Sequence, residues 1–196
     1  VEVVKKSLEN KLKNLTIKKV NINNNKLRYK INSKQFNKIK YKKITSVQRR
    51  SKYLLINLDK DYTILAHLGM TGKFFIIDNN KKHKTSFYYA LNKNDKKHDH
   101  LTIFFNKKIK LIYNDVRKFG FLKLFKNKNI FECKHLKFLG PEPLTKQFNI
   151  NYIIKYFLHK KVSIKDLLMN QKFVAGIGNI YCNEILFLCK INPRRI

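Results

Sequence analysis

Two glycines near the end of the chain, Gly176 and Gly178, flank a single residue and stand directly before Asn179 and an apolar run. Glycine lets a backbone approach another molecule closely, and asparagine is a preferred N-cap, so we expect Asn179 to cap a helix. The N–H groups at a helix N-terminus could then bind an anion. An ordinary helical hairpin with a glycine C-cap explains the same residues equally well. Nearby lysines favour phosphate: Lys160, Lys161, Lys165 and Lys172.

A second segment, residues 46–55, places cations where an apolar strand is expected to begin. Arg49, Arg50 and Lys52 stand directly before the apolar part of this segment, so several positive charges meet at one end of a sheet. Such a group could bind phosphate, although a solvated loop is the simpler interpretation.

Two further loops carry side chains that could enter a nucleic-acid duplex. Met70 lies in a glycine-flanked turn, residues 67–72, and an exposed methionine can wedge between bases. Arg117 and Phe119 lie two residues apart in a second loop, a pair suited to reading and filling a gap in a duplex. The alternatives are that Met70 is a core residue and that an Asx turn buries Phe119 between two strands.

The run Lys97-His98-Asp99-His100 raises the question of a metal site. Spacing of i and i+2 on a strand would put the two histidines on one face, but the run offers no third ligand nearby. We therefore expect no metal in this chain, and favour a hydrogen-bonded or phosphate-contacting His98.

Charge is the strongest feature of the composition, because 44 basic residues face 12 acidic ones and the net charge is +32. This imbalance predicts a polyanionic partner. Only six of the basic residues are arginines, and the abundant lysine, asparagine and isoleucine are typical of an AT-rich coding sequence. Genomic drift is therefore an equally good explanation of the excess lysines. The arginines are the better candidates for specific contacts.

Cysteine content and hydropathy exclude two classes of protein, disulfide-rich scaffolds and proteins with a membrane-spanning helix. Cys133, Cys182 and Cys189 are too few and too scattered for a disulfide framework. Cys182 and Cys189 would share a helix face, so we expect core thiols in a reducing compartment. No apolar run reaches the ~18 residues of a membrane span, and no signal peptide is visible. We expect a cytoplasmic protein, bacterial and nucleoid-associated, or an organellar one.

Apolar periodicity predicts an α+β protein with an antiparallel β-sandwich or barrel. Helical spacing over residues 2–13 predicts an N-terminal helix. Strands are then expected at 16–22, 52–58, 62–68, 73–77, 86–91, 100–105, 108–113 and 119–125, with turns at 59–61, 69–72 and 106–107.

The pattern becomes helical after residue 126. We predict a β domain over residues 1–126, a rigid linker with two prolines over 127–144, and a helical domain over 145–196. Helices are expected at 149–159, from a capping box at Ser163 to about Asn170, and after the glycine turn to about Lys190.

Six segments, in register and in order, resemble the formamidopyrimidine-DNA glycosylase family, the bacterial base-excision enzymes for oxidised purines. They read SVQRRSKYLL, HLGMTG, KHDH, YNDVRKFG, LGPEPL and AGIGNIY. The resemblance runs from Val1 to Arg195. It implies a β-sandwich with an N-terminal helix, followed by a partial helical domain whose glycine turn belongs to a helix–two-turn–helix DNA grip.

The resemblance also implies residue roles. Lys52 matches the lysine assigned as proton donor in β-elimination. His67 and Asn179 match ligands of the phosphates that flank the flipped nucleotide. Further DNA contacts are implied for His98, Arg117, Lys160 and Gly178. Met70, Arg117 and Phe119 match the three residues that fill the gap left by the flipped base, and Arg117 would pair with the orphaned cytosine.

The family pattern includes parts that these 196 residues do not contain. Family members open with Pro-Glu-Leu-Pro-Glu ahead of the segment that matches Val1 and Glu2, and the secondary amine of that proline forms the Schiff base. Glu2 therefore does not inherit the catalytic glutamate's role. The zinc finger of four cysteines is also absent. We expect a fragment of a complete, monomeric glycosylase/lyase that binds damaged double-stranded DNA, inactive as given and free of cofactors.

Two alternatives remain open. The first is a DNA-binding remnant without catalysis, and the second is the sister glycosylase for oxidised pyrimidines, which has the same fold.

Overall fold

A computed structural model describes residues 1–87 and 95–196, apart from the side chain of Asp95. These residues form two compact units, Val1–Ile130 and Phe131–Ile196.

The first unit is a two-sheet structure with helices at its N-terminal end. Its elements are α1 (Glu2–Leu12), β1 (Ile17–Ile22), α2 (Ser33–Asn37), β2 (Ile44–Arg50), β3 (Tyr53–Leu58), β4 (Tyr62–His67), β5 (Lys73–Asp78), β6 (Lys81–Lys84), β7 (Asp99–Phe105), β8 (Lys110–Asn114) and β9 (Phe121–Lys126). Short 3-10 helices cover Asp95–His98 and Asn127–Asn129.

Both sheets are antiparallel, with the strand orders β1-β7-β8-β5-β6 and β2-β3-β4-β9. Their inward side chains share one core, to which α1 adds Val4, Leu8 and Leu12. The spacing of four residues puts these three on one helix face, which is why α1 packs against the sandwich. The predicted α+β class with its N-terminal helix is confirmed.

Three elements of this unit were not predicted: α2, β2 and β6. Strand β2 is an edge strand whose second half, Gln48-Arg49-Arg50, is polar, and it buries only Ile44 and Val47. An edge strand with so few apolar positions lacks the alternation that marks a strand in a sequence. The strand expected at 86–91 falls mostly outside the described residues, and its first two residues lie in a bend and a turn.

The second unit contains three helices, α3 (Ile150–Phe157), α4 (Ile164–Met169) and α5 (Asn179–Leu188). The predicted N-cap at Ser163 is confirmed, since its Oγ accepts from the Asp166 N–H at 3.1 Å. The Asp166 carboxylate bonds the Ser163 hydroxyl, which donates to Oδ2 at 2.6 Å, in place of the backbone N–H that a capping box would use. Phe173 is the centre of the small core. Its ring is 4.7 to 5.8 Å from those of Phe148, Tyr152, Tyr156 and Phe157.

All three cysteines are free thiols. The core position predicted for Cys182 is confirmed. The core position predicted for Cys189 is wrong, because α5 ends at Leu188 and Cys189, the next residue, is exposed. Within the described residues, no helix is long and apolar enough to cross a membrane.

Gly120 fills a position where no side chain fits. A Cβ there would overlap the Tyr113 hydroxyl and lie 2.6 Å from the carbonyl oxygen of His67. We expect Gly120→Ala to lower the free energy of unfolding by about 1–3 kcal/mol through overpacking, as measured by urea denaturation. Adding Tyr113→Phe should recover part of this loss. Equal stability of Gly120→Ala and wild type would contradict the packing described.

Candidate nucleic-acid interface

Two loops of the first unit meet at the ends of the strands. One is the turn after β4 that contains Met70, and the other is the loop between β8 and β9 that contains Arg117. Together they border a concavity of about 720 Å³, lined by Arg28, His67, Gly69, Met70, Arg117, Lys118 and Phe119. This lining contains two arginines, a lysine and a histidine but no acidic side chain, so the concavity favours an anion.

The carboxylate of Asp115 joins these two loops. It is fully buried; its Oδ1 accepts from Thr71 Oγ1 at 2.5 Å and its Oδ2 accepts from the Gly120 N–H at 2.8 Å. The same Thr71 hydroxyl accepts from the Arg117 N–H at 3.1 Å. Because a buried carboxylate needs such donors, this network fixes the turn and the loop against each other.

Met70, Arg117 and Phe119 form an exposed group on these loops. Met70 is 73% exposed and Phe119 is 48% exposed, so the alternatives that bury them in the core are excluded. The Arg117 guanidinium lies 4.6 Å from the centre of the Phe119 ring, and its Nη1 is 3.3 Å from Met70 Sδ. The three sequence-predicted residues are therefore brought together, and they present apolar surface and one cation to solvent.

His67 lies at the end of β4, at the wall of the concavity. Its ring stacks on Phe121 at 5.7 Å, and its Nδ1 accepts from the Gly69 N–H at 3.1 Å. In the neutral ring the proton therefore belongs on Nε2, which remains a donor. Burial lowers the pKa of His67, and the positive charges of Arg28 and Lys52 lower it further. An anion beside His67 would act in the opposite direction and raise its pKa.

Lys52 lies in the two-residue turn between β2 and β3. It is half-buried, and burial lowers the pKa of its ammonium group. Arg49, from the same basic segment, has a structural contact instead, because its Nε donates to Glu2 Oε2 at 2.7 Å and its Nη1 donates to Ser51 O at 3.0 Å. Two cations of the basic segment thus have different surroundings: Arg49 is bound to α1, and Lys52 acts electrostatically on His67.

Arg28 is the functional candidate that no predicted site included. It lines the concavity, and its charge acts on His67 more strongly than that of Lys52. Its backbone N–H donates to Gly120 O at 3.3 Å, which ties it to the loop between β8 and β9. The single signal in the sequence was its identity as one of six arginines in a lysine-rich chain.

The two histidines of the KHDH run have different surroundings. His98 ends a 3-10 helix and is not on β7, so the predicted common strand face is wrong. His100 is buried, and its ring nitrogens lie 3.1 Å from Asn24 O and 2.9 Å from Asp115 O. Among the described residues, no group of three His, Cys, Asp or Glu side chains could hold a metal ion.

The glycine turn of the second unit precedes α5. Gly176 has a φ of +106°, in the region that favours glycine, whereas Gly178 is extended with a φ of −120°. Gly178 is the N-cap and Asn179 is the first helical residue, so the predicted cap at Asn179 is wrong. The exposed Asn179 side chain is consequently not used as a cap. Since no side-chain hydrogen bond caps this helix, its first N–H groups are not satisfied in that way.

Lys160 also belongs to the second unit, just beyond the end of α3. Its ammonium lies 5.5 Å from the Tyr156 ring, and both residues line a groove of about 430 Å³ with Tyr152, Lys155 and Leu158.

Comparison with known proteins gives consistent matches along the chain. The family model described as the formamidopyrimidine-DNA glycosylase N-terminal domain matches residues 1–122, and that of the corresponding H2TH domain matches residues 139–196. The formamidopyrimidine-DNA glycosylase of Rickettsia bellii is 39% identical over 98% of this chain, and that of Histophilus somni is 40% identical over 100% of this chain. The chain spans 66% and 67% of those two relatives.

Solved structures give the same result. The chain is similar to the Lactococcus lactis protein Fpg crystallised with DNA containing an abasic site, with a TM-score of 0.84, 30% identity, and coverage of 99% of this chain and 68% of that one. A complex of the same protein with DNA containing FAPY-dG gives a TM-score of 0.83 at 30% identity, with coverage of 99% and 68%.

The electrostatic effect on His67 can be measured directly. We expect Arg28→Gln to raise the pKa of His67 in an NMR titration, because a repelling positive charge is removed. Lys52→Gln should raise this pKa by a smaller amount. Lys18→Gln, which removes an exposed lysine of β1, is the control and should leave it unchanged. An unchanged pKa in Arg28→Gln would contradict the arrangement of the concavity.

Proposed function

Because this chain belongs to the formamidopyrimidine-DNA glycosylase family, we propose that it is the greater part of a base-excision repair enzyme that removes oxidised purines from duplex DNA. The substrates would be 8-oxoguanine and formamidopyrimidines, and the complete protein would also cleave the strand as an AP lyase. The observation that carries the proposal is the exposed group Met70, Arg117 and Phe119 beside a concavity lined with cations and no carboxylate.

Exposed apolar side chains next to a cation suit a duplex from which a base has been flipped. Flipping costs a few kcal/mol of stacking, and side chains inserted into the gap offset part of that cost. We assign Met70 and Phe119 to stacking within the gap. Arg117 would donate to the cytosine that has lost its partner, since its guanidinium offers a planar set of donors.

Phosphate binding is assigned to both units. In the first unit, His67 would donate from Nε2 to a phosphate beside the flipped nucleotide, and His98 would make another DNA contact. In the second unit, Gly178 and Asn179 would contact the backbone at the start of α5, and Lys160 would add a cation. The extended backbone of Gly178 is open to any residue, so its glycine is better explained by close approach of a ligand than by local conformation.

Lys52 is assigned to proton transfer during β-elimination. Its half-burial lowers the pKa of the ammonium, which makes the group a better acid near neutral pH. In the family pattern the bond to the sugar C1′ is formed by a proline amine, and we assign that role to no residue of this chain. We also expect no Schiff base from these 196 residues alone.

The family pattern implies zinc only in its C-terminal zinc finger. The described residues offer no cluster of three possible ligands, and no step is assigned to a metal. We propose a monomer that acts on the DNA of a bacterial cytoplasm or of an organelle, and a steep dependence of DNA binding on salt follows from the net charge of +32.

Two other outcomes are distinguishable by assay. In the complete protein, preferential excision of thymine glycol over 8-oxoguanine would indicate the sister enzyme for oxidised pyrimidines. Lesion-selective binding without excision of either base would indicate a catalytically inactive remnant.

The chain should prefer a duplex that contains an abasic-site analogue opposite cytosine over an intact duplex. Phe119→Ala should reduce this preference about tenfold, because base–aromatic stacking contributes about 1–3 kcal/mol. The salt slope should not change, since no charge is removed. Fluorescence anisotropy on both duplexes measures these quantities. Phe131→Ala, another exposed phenylalanine, is the matched control. Equal wild-type affinity for the two duplexes would contradict the proposed function.

A further inference from the structure

One side chain bridges the glycine turn of the second unit. The carboxamide of Gln171 accepts from the Gly176 N–H through Oε1 at 2.9 Å and donates to Ile177 O through Nε2 at 2.7 Å. Two consecutive residues of the turn are therefore held by a single amide. Nε2 is also 3.3 Å from Met169 O.

The backbone around Gln171 is itself anchored. The Gly140 N–H donates to Gln171 O at 2.9 Å, and the Ala175 N–H donates to Pro141 O at 2.9 Å. Residues 139–141 thus lie along residues 171–175. The proline-containing segment that the sequence predicts to be a linker therefore supports the turn. Its Gly140 N–H holds the backbone of Gln171, and its Pro141 carbonyl holds Ala175, the residue before Gly176.

The turn depends on these contacts because its conformation is unusual. Gly176 has a positive φ, and α5 begins only three residues later. The hydrogen bonds within α5 start at the N-cap Gly178, so they do not restrain Gly176 and Ile177. The two bonds from Gln171 therefore fix the direction from which the chain enters the helix.

We propose that Gln171 is a positioning residue for DNA-phosphate binding at Gly178 and Asn179. The inference rests on the proposed function of that turn. Gln171 would not contact DNA; it would keep the turn in the conformation that binds DNA, so that binding does not have to order it. An amide is required because one end must accept and the other must donate. Methionine has a similar length but supplies neither group.

The test compares Gln171→Met with wild type in the 196-residue chain. Losing both bonds should speed hydrogen exchange at the Gly176 N–H about tenfold and weaken binding to the abasic-site duplex about tenfold, from the usual cost of unmade hydrogen bonds. The salt slope should stay the same, because no charge changes. Gln147→Met, which alters an exposed glutamine of the same unit, is the control and should change neither quantity.

Gln171→Glu adds a spectroscopic test of the amide requirement. At neutral pH the carboxylate cannot donate to Ile177 O, so the NMR shift of the Gly176 N–H should differ from wild type. As the pH falls through the carboxyl pKa, ordinarily about 4.3, the protonated acid regains a donor and the shift should return toward the wild-type value. A side chain that only filled space would give no such return, and that result would overturn the proposal.

The readouts separate the two levels of inference. Unchanged exchange at Gly176 in Gln171→Met overturns the bridging role, and faster exchange with unchanged DNA affinity overturns the positioning role. Failure of wild type to prefer the abasic-site duplex contradicts the proposed function instead, and the exchange measurement stands apart from it.

Discussion

The buried carboxylate of Asp115 is the interaction on which the first unit's site depends. A charge removed from water must be satisfied by donors, and Thr71 and Gly120 supply them from two separate stretches of chain. This requirement brings the Met70 turn and the Arg117 loop together, while the loops themselves carry exposed apolar side chains that packing alone would not hold in place. The hydrogen bonds of Asp115 thus hold the two loops in place while the side chains of Met70 and Phe119 remain exposed.

The second unit solves a similar problem with neutral groups. Its glycine turn carries no buried charge, and the Gln171 amide and the backbone of residues 139–141 supply its hydrogen bonds. Each unit therefore orders the segment proposed to bind DNA by polar contacts within the protein. Such preordering lowers the entropic cost of binding a ligand. In the first unit, the concavity beside the loops collects positive charge, which favours the polyanion that the composition predicts.

Helices and strands with a strong apolar periodicity can be predicted from the sequence. Side-chain contacts between residues close together in the chain can be predicted as well. Helix α1 and the central strand β4 follow from their apolar spacing, and the Ser163 N-cap follows from two residues three apart. The contact of Thr71 with Asp115 joins positions 44 residues apart, which no local pattern can indicate. Arg28 lies outside every motif, and its relation to His67 exists only in the folded chain.

The errors have the same origin. Asn179 has the residue type of an N-cap, but the extended backbone of Gly178 begins the helix one residue earlier. The two histidines of the KHDH run have strand spacing, but a 3-10 helix ends at His98 and separates them.

The most direct test of the account is the lesion preference of Thr71→Val, which keeps the side-chain shape but removes the hydroxyl between Asp115 and Arg117. The measurement is the ratio of affinities for abasic-site and intact duplexes. We expect this ratio to fall about tenfold, from the loss of hydrogen bonds to a buried charge, with unchanged affinity for intact DNA and recovery in Thr71→Ser. A folded Thr71→Val protein with the wild-type ratio would contradict the account.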